Sequence, residues 1–177
     1  LIGIEDVIRK FGQYELDLTN PSHTVLESGK TYILELQEKL ALPTGVYGYS
    51  NTKSSVGRNG LRTSLLADCN TQYDKTQRGY RGGLFLQAIP QAYPIKIKHG
   101  ISLNQMRFSN TDKKLDRDDI EKEHGKGGLL FNHKGKPVDI SKLISDDGIY
   151  MTADLSGDIA GWRARRTEKP VDLSAPD

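Results

Sequence analysis

One cysteine, Cys69, is all the thiol chemistry this chain has, and it excludes an internal disulfide. The four histidines, His23, His99, His124 and His133, lie far apart in polar surroundings. Together with a single cysteine they cannot form a zinc site of clustered Cys and His ligands. No apolar run approaches the roughly 20 residues of a membrane-spanning helix, and no charged-then-apolar leader opens the chain. The expectation is a cytoplasmic protein with no membrane partner. Charge of one sign is also missing: 25 Lys and Arg against 23 Asp and Glu leave +2, so nothing global points to nucleic acid. No Gly-x4-Gly-Lys-Ser/Thr phosphate loop occurs. What is present is a soluble-protein composition, 36% hydrophobic and 27% charged, in 177 residues. That length suits one domain with extras. The first residue is Leu1 and "EKPVDLSAPD" ends without a structural stop signal, so the expectation is a fragment or a processed chain. Cys69, with no histidine near it in sequence, is expected to be a small buried residue rather than a nucleophile.

"GIEDVIRKFG" spaces Ile4, Val7, Ile8 and Phe11 as a helix does, and Gly12 ends the pattern. A short amphipathic helix is predicted there. From there to about Phe108, short runs rich in aromatic and branched residues alternate with Gly, Pro and polar turns. They are Thr31 to Leu36, Val46 to Ser50, Leu84 to Ile89, Tyr93 to Lys98 and Asn104 to Phe108. Many short strands with few helices predict an all-β sandwich, jelly roll or barrel. After Phe108 dense mixed charge predicts a linker, a solvated helix around Lys114 to Glu123, or both. "HGKGG" (His124 to Gly128) reads as a flexible connection. "GIYMTADLSGDIAGWRARR" returns to strand-like chemistry, with Tyr150, Met151, Leu155, Ile159 and Trp162, and either completes the first domain or begins a second. "WRARR" reads as a solvated strand edge.

Two segments carry chemistry. In "NTKSSVGRNGL" two adjacent hydroxyls, backbone N–H groups of a Gly-containing turn, Lys53 and Arg58 can converge on an anion. By composition alone, Ser-Ser-x-Gly-Arg is also a common turn. In "YDKTQRGYRGGLFLQ" the glycines permit close approach of backbone to a ligand, and Asp74 can accept from a sugar hydroxyl or orient a water. Alone, that stretch reads as an ordinary hairpin.

In this order and spacing, "KSSVGRNGL", "YD", "GYRGGLFLQ" and "HGISLNQMRF" resemble the dCTP deaminase and dUTPase superfamily. The resemblance covers roughly Leu26 to Phe108. It implies a distorted β-barrel or jelly roll of the dUTPase-like type behind a short N-terminal helix. It further implies a homotrimer, or a pseudo-trimer of fused halves, with sites at subunit boundaries. The ligand implied is dCTP or dUTP bound with Mg²⁺ on the triphosphate and no zinc. Lys53, Ser54, Ser55 and Arg58 would hold the phosphates, Ser54 and Arg58 would help place the attacking water, Asp74 would meet the deoxyribose, and Gln105 would line the nucleotide site. The zinc-dependent deaminases need a Pro-Cys-x-x-Cys element that this chain lacks.

The chain departs from that pattern at the base. The family's water-activating glutamate is expected four residues after the glycine pair Gly82 and Gly83, where this chain has Gln87. A carboxamide takes no proton from water near neutral pH, and losing a general base costs about 10²- to 10⁴-fold in rate. The long stretch "KTQRGYR" resembles the longer form in which two such domains are fused. The domain expectation is therefore residues 1–110 as the dUTPase-like domain, 111–145 as a charged linker and 146–177 as the start of a second similar domain. The function implied is hydrolytic deamination of dCTP to dUTP and ammonia. The alternatives are dUTP diphosphatase chemistry and a non-catalytic nucleotide-binding or oligomerising half, which Gln87 favours.

Overall fold

The computed structural model describes residues 3–12, 16, 24–145 and 148–174. His23, Asp146 and Asp147 lie outside the described residues. In chain order the elements are α1 (Ile4–Phe11), β1 (Thr24–Leu26), β2 (Tyr32–Ala41), β3 (Tyr47–Thr52), α2 (Ser54–Arg58), β4 (Leu61–Ala67), β5 (Arg81–Pro90), β6 (Ile95–Ile97), β7 (Asn104–Ser109), α3 (Arg117–Gly127), β8 (Ile144–Ser145), β9 (Gly148–Ile149) and β10 (Val171–Asp172). Strands dominate and helices are few. The chain divides into two compact units, residues 1–111 with 164–177, and residues 112–163.

In the first unit the strands form three sheets, ordered β1-β6-β10, β2-β5-β4 and β3-β7. The middle sheet is antiparallel throughout, and its register aligns Leu34, Leu86 and Leu65 across the three strands. Side chains alternate between faces of a strand, so this row and its neighbour Tyr32, Ala88 and Thr63 turn to the core, where Leu86 and Ala88 are fully enclosed. Burying such a leucine stabilises the fold by about 1.5–3 kcal/mol. Ile33, Gln87 and Ser64 form the next row on the opposite face.

The all-β expectation holds, and of the distorted barrel or jelly roll expected no closed barrel is found among the described residues. Two local features explain the open arrangement. β2 leaves its ladder at a bulge between Glu35 and Lys39. Between β3 and β4, a side chain takes the place of ladder pairing: the Thr52 hydroxyl donates to the Thr63 carbonyl at 3.0 Å and accepts from the Thr63 N–H at 3.3 Å.

Helix α1 forms where its apolar spacing predicts. Its first N–H, on Ile4, donates to the Asp68 carboxylate at 2.9 Å, which ties the helix to the turn after β4. Cys69 lies in that turn and is exposed, not buried as expected. The chain reverses there, with Cys69 at φ 53°. The segment "EKPVDL" contributes structure to this unit: β10 runs parallel to β6, and Val171 and Leu173 pack against the core.

In the second unit Asp116 caps α3 by accepting from the Asp119 N–H at 2.9 Å, so the expected solvated helix begins at Arg117. Ile120, Ile140 and Ile144 form its small core, with Leu130 and Ile149 against them. "HGKGG" is the end of this helix rather than a loose connection. Gly128 adopts φ 83° and its N–H closes the last turn on the His124 carbonyl at 2.7 Å. The strands expected after Tyr150 do not form in residues 150–163. Their apolar side chains lack the period-two spacing of a strand, and Trp162 is 90% exposed.

Candidate functional site

The serine loop is built by one buried residue inside a polar run. Val56 sits in the main core at 4% exposure and pulls "SSVGR" into the five-residue helix α2. The Lys53 N–H donates to the Leu103 carbonyl at 3.0 Å, and the Lys53 carbonyl accepts from Gly57 N–H at 2.9 Å. The Asn59 side chain closes the far end on the Ser55 carbonyl at 2.9 Å. With Val56 turned inward, Ser54, Ser55 and Arg58 are exposed and Lys53 is half-buried.

Asp74 is held from two sides. Its N–H donates to the Leu65 carbonyl at 3.0 Å, its Oδ1 accepts from the Leu65 N–H at 2.7 Å, and its carbonyl accepts from the Ser50 N–H at 2.7 Å. The backbone lies in the left-handed region, φ 60°, which aspartate and asparagine tolerate better than most side chains. Gln105, on β7, pairs with Asn51 on β3 and is exposed. Its carbonyl accepts from the Ser50 hydroxyl at 3.3 Å. Strand β3 therefore gathers three of the predicted elements: Ser50 meets Asp74 and Gln105, and Lys53 follows at the strand's end.

Gln87 stands apart from that group. It occupies the middle strand of its sheet, between Ile33 and Ser64, on the face turned from the core. The glycines before it are required by geometry. Gly79 has φ 71° and a Cβ there would lie 3.2 Å from the Thr44 Cα. Gly82 has φ 157° and a Cβ would meet the Tyr80 hydroxyl at 2.8 Å. That hydroxyl donates to the Gly83 carbonyl at 2.6 Å and accepts from the Asp68 N–H at 3.0 Å. Burial pushes the Tyr80 phenol above its ordinary value, with the neighbouring Asp68 and Cys69 adding to the rise against the lowering Asp68 N–H bond.

The sequence reading missed a polar network beneath α2. The Thr52 and Thr63 hydroxyls meet at 2.7 Å, Thr63 donates to the Asn104 side-chain oxygen, and the Asn104 amide donates to the Ser50 hydroxyl at 2.9 Å. These four side chains fasten β3, β4 and β7 to one another directly below the serine loop. The available signal was Thr63, a polar residue at an inward position between Leu61 and Leu65.

Nearby, the Lys75 ammonium and Arg78 guanidinium lie 4.6 and 5.1 Å from the centre of the Tyr47 ring, which braces the segment that follows Asp74. A cavity of about 1240 Å³ opens beside α1, β2 and residues 98–108; Glu35, Ser50, Asn104 and Gln105 line it, and Lys53, Ser54, Arg58, Asp74 and Gln87 do not. Among the described residues no three His, Cys, Asp or Glu side chains gather where they could hold a metal ion, and no helix is long and apolar enough to cross a membrane.

Comparison with known proteins places this geometry. The chain is 24% identical over 114 residues to the dCTP deaminase of Ignicoccus hospitalis, covering 64% of this chain and 59% of that one. The crystal structure of 2'-deoxycytidine 5'-triphosphate deaminase from Agrobacterium tumefaciens superposes with a TM-score of 0.60 at 35% identity, over 70% of this chain and 36% of that one. The chain thus spans less than two thirds of the length of either relative. The model of the 2'-deoxycytidine 5'-triphosphate deaminase N-terminal domain matches residues 2–112, which include every element around the serine loop. With that match over more than half its length, the chain belongs to the dCTP deaminase N-terminal domain family.

Proposed function

We propose that this chain binds dCTP and takes part in its hydrolytic deamination to dUTP and ammonia. The observation that carries this reading is the placement of Ser54, Ser55 and Arg58 on the exposed side of α2, with Lys53 preceding them and Asp74 fixed to the adjoining β3 and β4. Two hydroxyls and two cations are suited to a triphosphate, because charge-assisted hydrogen bonds to phosphate oxygens are about twice as strong as neutral ones. Oδ1 of Asp74 is engaged by Leu65, which orients the carboxylate and leaves Oδ2 to accept from a deoxyribose hydroxyl. Magnesium enters as part of the substrate, bound to the triphosphate and water, and Asp74 is not asked to carry it. The Gln87 carboxamide, on its outward face, offers one donor group and one acceptor to a pyrimidine edge.

The site is completed across subunits of a trimer, or across the fused halves of a longer chain. In either arrangement the α2 loop of one domain serves chemistry carried by another. A second reading follows from Gln87: this half binds nucleotide and assembles, and the proton transfers belong to a different half. The third, dUTP diphosphatase chemistry, would use Asp74 to guide water to the α-phosphate.

The test is product identity. Incubation with dCTP and Mg²⁺ is expected to release ammonia and dUTP. Pyrophosphate from dUTP would establish the diphosphatase instead, and nucleotide binding with neither product would establish the binding half. No binding of either nucleotide would refute all three.

A further inference from the structure

The register of the middle sheet brings a carboxylate to the place where the sequence lost one. Ile33 on β2 lies directly across from Gln87, and Glu35 lies across from Phe85. Residues two apart on a strand share a face, so Glu35 is the diagonal neighbour of Gln87. Diagonal partners in an antiparallel pair stand about 7–8 Å apart at their backbones, within reach of long side chains. In the three rows that surround Gln87 on this face, the other residues are Ile33, Ser64, Phe85, Leu66, Ile89 and Arg62, and Glu35 is the one acid.

Two further observations set Glu35 apart from an ordinary solvated strand residue. It occupies the last regular rung before β2 bulges, with Lys39 next to resume pairing. Extra residues at a bulge bend the strand and re-aim its neighbours, and bulges are frequent beside active sites. Glu35 is also exposed, and its carboxylate has no ion-pair or hydrogen-bond partner among the described residues.

We propose that Glu35 is the general base of this chain, taking over from the glutamate that Gln87 replaces. The proposal rests on the deaminase reading above. In the step, the Glu35 carboxylate removes a proton from a water whose oxygen bonds to C4 of the cytosine ring as the C4–N3 double bond opens and N3 takes a proton from solvent. The protonated Glu35 then delivers its proton to the 4-amino group, the C4–N bond breaks, and ammonia leaves as the C4 oxygen becomes the carbonyl of dUTP, its hydroxyl proton passing to solvent. No oxidant, reductant or further reactant is needed. Gln87 orients the ring and the water, and takes no proton.

The experiment compares the chain with its Glu35→Gln, Gln87→Glu and double variants, using dCTP and Mg²⁺, ammonia release and dCTP affinity by calorimetry. Glu35→Gln, on an exposed edge strand, should fold as the parent does. The expected result is a fall in kcat of about 10²- to 10⁴-fold with the dCTP Kd unchanged within about threefold, and recovery in the double variant, where residue 87 carries the base. Turnover by Glu35→Gln equal to the parent overturns the assignment while leaving the deaminase reading intact. Binding of dCTP by the parent with no ammonia release also overturns it, and moves the chain to the binding-half reading. Failure of the parent to bind dCTP overturns the deaminase reading itself.

Discussion

Leu65 and Asp74 hold each other by two hydrogen bonds, one from each backbone N–H: Leu65 donates to the Asp74 Oδ1 at 2.7 Å and Asp74 donates to the Leu65 carbonyl at 3.0 Å. A carboxylate proposed to meet substrate is therefore also a structural acceptor on the edge of β4. The two duties separate by substitution. Asparagine at position 74 keeps an oxygen for the Leu65 N–H and tolerates the left-handed backbone. Asp74→Asn should then melt within a few degrees of the parent and lose nucleotide affinity. Asp74→Ala strands the Leu65 N–H, at about 1–3 kcal/mol, and strains a Cβ residue at φ 60°. With roughly 2–4 °C of Tm for each kcal/mol in a protein of this size, its melting temperature should fall clearly below that of Asp74→Asn.

Ser54 and Arg58 are exposed on α2 while Val56 anchors it, so Ser54→Ala and Arg58→Ala should leave stability unchanged. Each hydrogen bond to a charged phosphate is worth about 1.5–3 kcal/mol, which corresponds to roughly 10- to 150-fold in Kd. Calorimetric titration with dCTP should show that loss for Arg58→Ala, and the low end of it for Ser54→Ala. Affinity equal to the parent in both variants would remove the loop from the nucleotide site.

Legibility in the sequence followed the range of the interaction. The spacing of Ile4, Val7, Ile8 and Phe11 is local, and the helix is where it predicts. The five strand runs between Thr31 and Phe108 also appear, because each carries its own alternation and turn residues. Strand β4 was hidden in the "RNGL" end of the serine loop, although Leu61, Thr63 and Leu65 alternate correctly. Its partner β5 lies across the intervening loop that holds Asp74, so no short-range turn marks the pair. The serine loop looked like a turn because a single valine, Val56, decides that it is helical, and its core neighbours are far away in sequence. The order of the Lys53 to Arg58 segment, Asp74, Gln87 and Gln105 identified the family, yet the clustering of three of these around Ser50 and the separateness of Gln87 needed the pairing. The same holds for Glu35, whose significance lies wholly in register. The exposed position of Cys69 and the absence of strands in residues 150–163 went against composition, since neither apolar side chains nor small ones find a core without a partner element.

The hydroxyl network under α2 makes a stability prediction of its own. Thr63 is 4% exposed, and its hydroxyl touches those of Thr52 and the oxygen of Asn104. Thr63→Val keeps the shape and leaves the Asn104 oxygen without that donor in a half-buried site, costing about 1–3 kcal/mol. Thr52→Val removes the two bonds to the Thr63 backbone and should cost a similar amount. Because the pair shares one network, urea unfolding of the double variant should show less destabilisation than the two singles added, by roughly 0.5–3 kcal/mol. Simple additivity would mean the two hydroxyls act independently.

Tyr80 supplies the pH-dependent case. Its hydroxyl joins the turn after β4 to the start of β5, accepting from Asp68 N–H and donating to the Gly83 carbonyl. Tyr80→Phe removes both bonds and should lower stability by about 1–3 kcal/mol at neutral pH. Burial raises the phenol in the fold above its ordinary value of 10.0. A group whose pKa is higher folded than unfolded holds its proton more tightly in the fold, so its contribution is full below the ordinary value and declines as pH rises through it. The difference in Tm between the parent and Tyr80→Phe should accordingly be constant from pH 7 to about pH 9 and narrow above pH 10. A gap that widened in alkali would mean that the ionised phenolate, not the neutral hydroxyl, is the form this turn was built around.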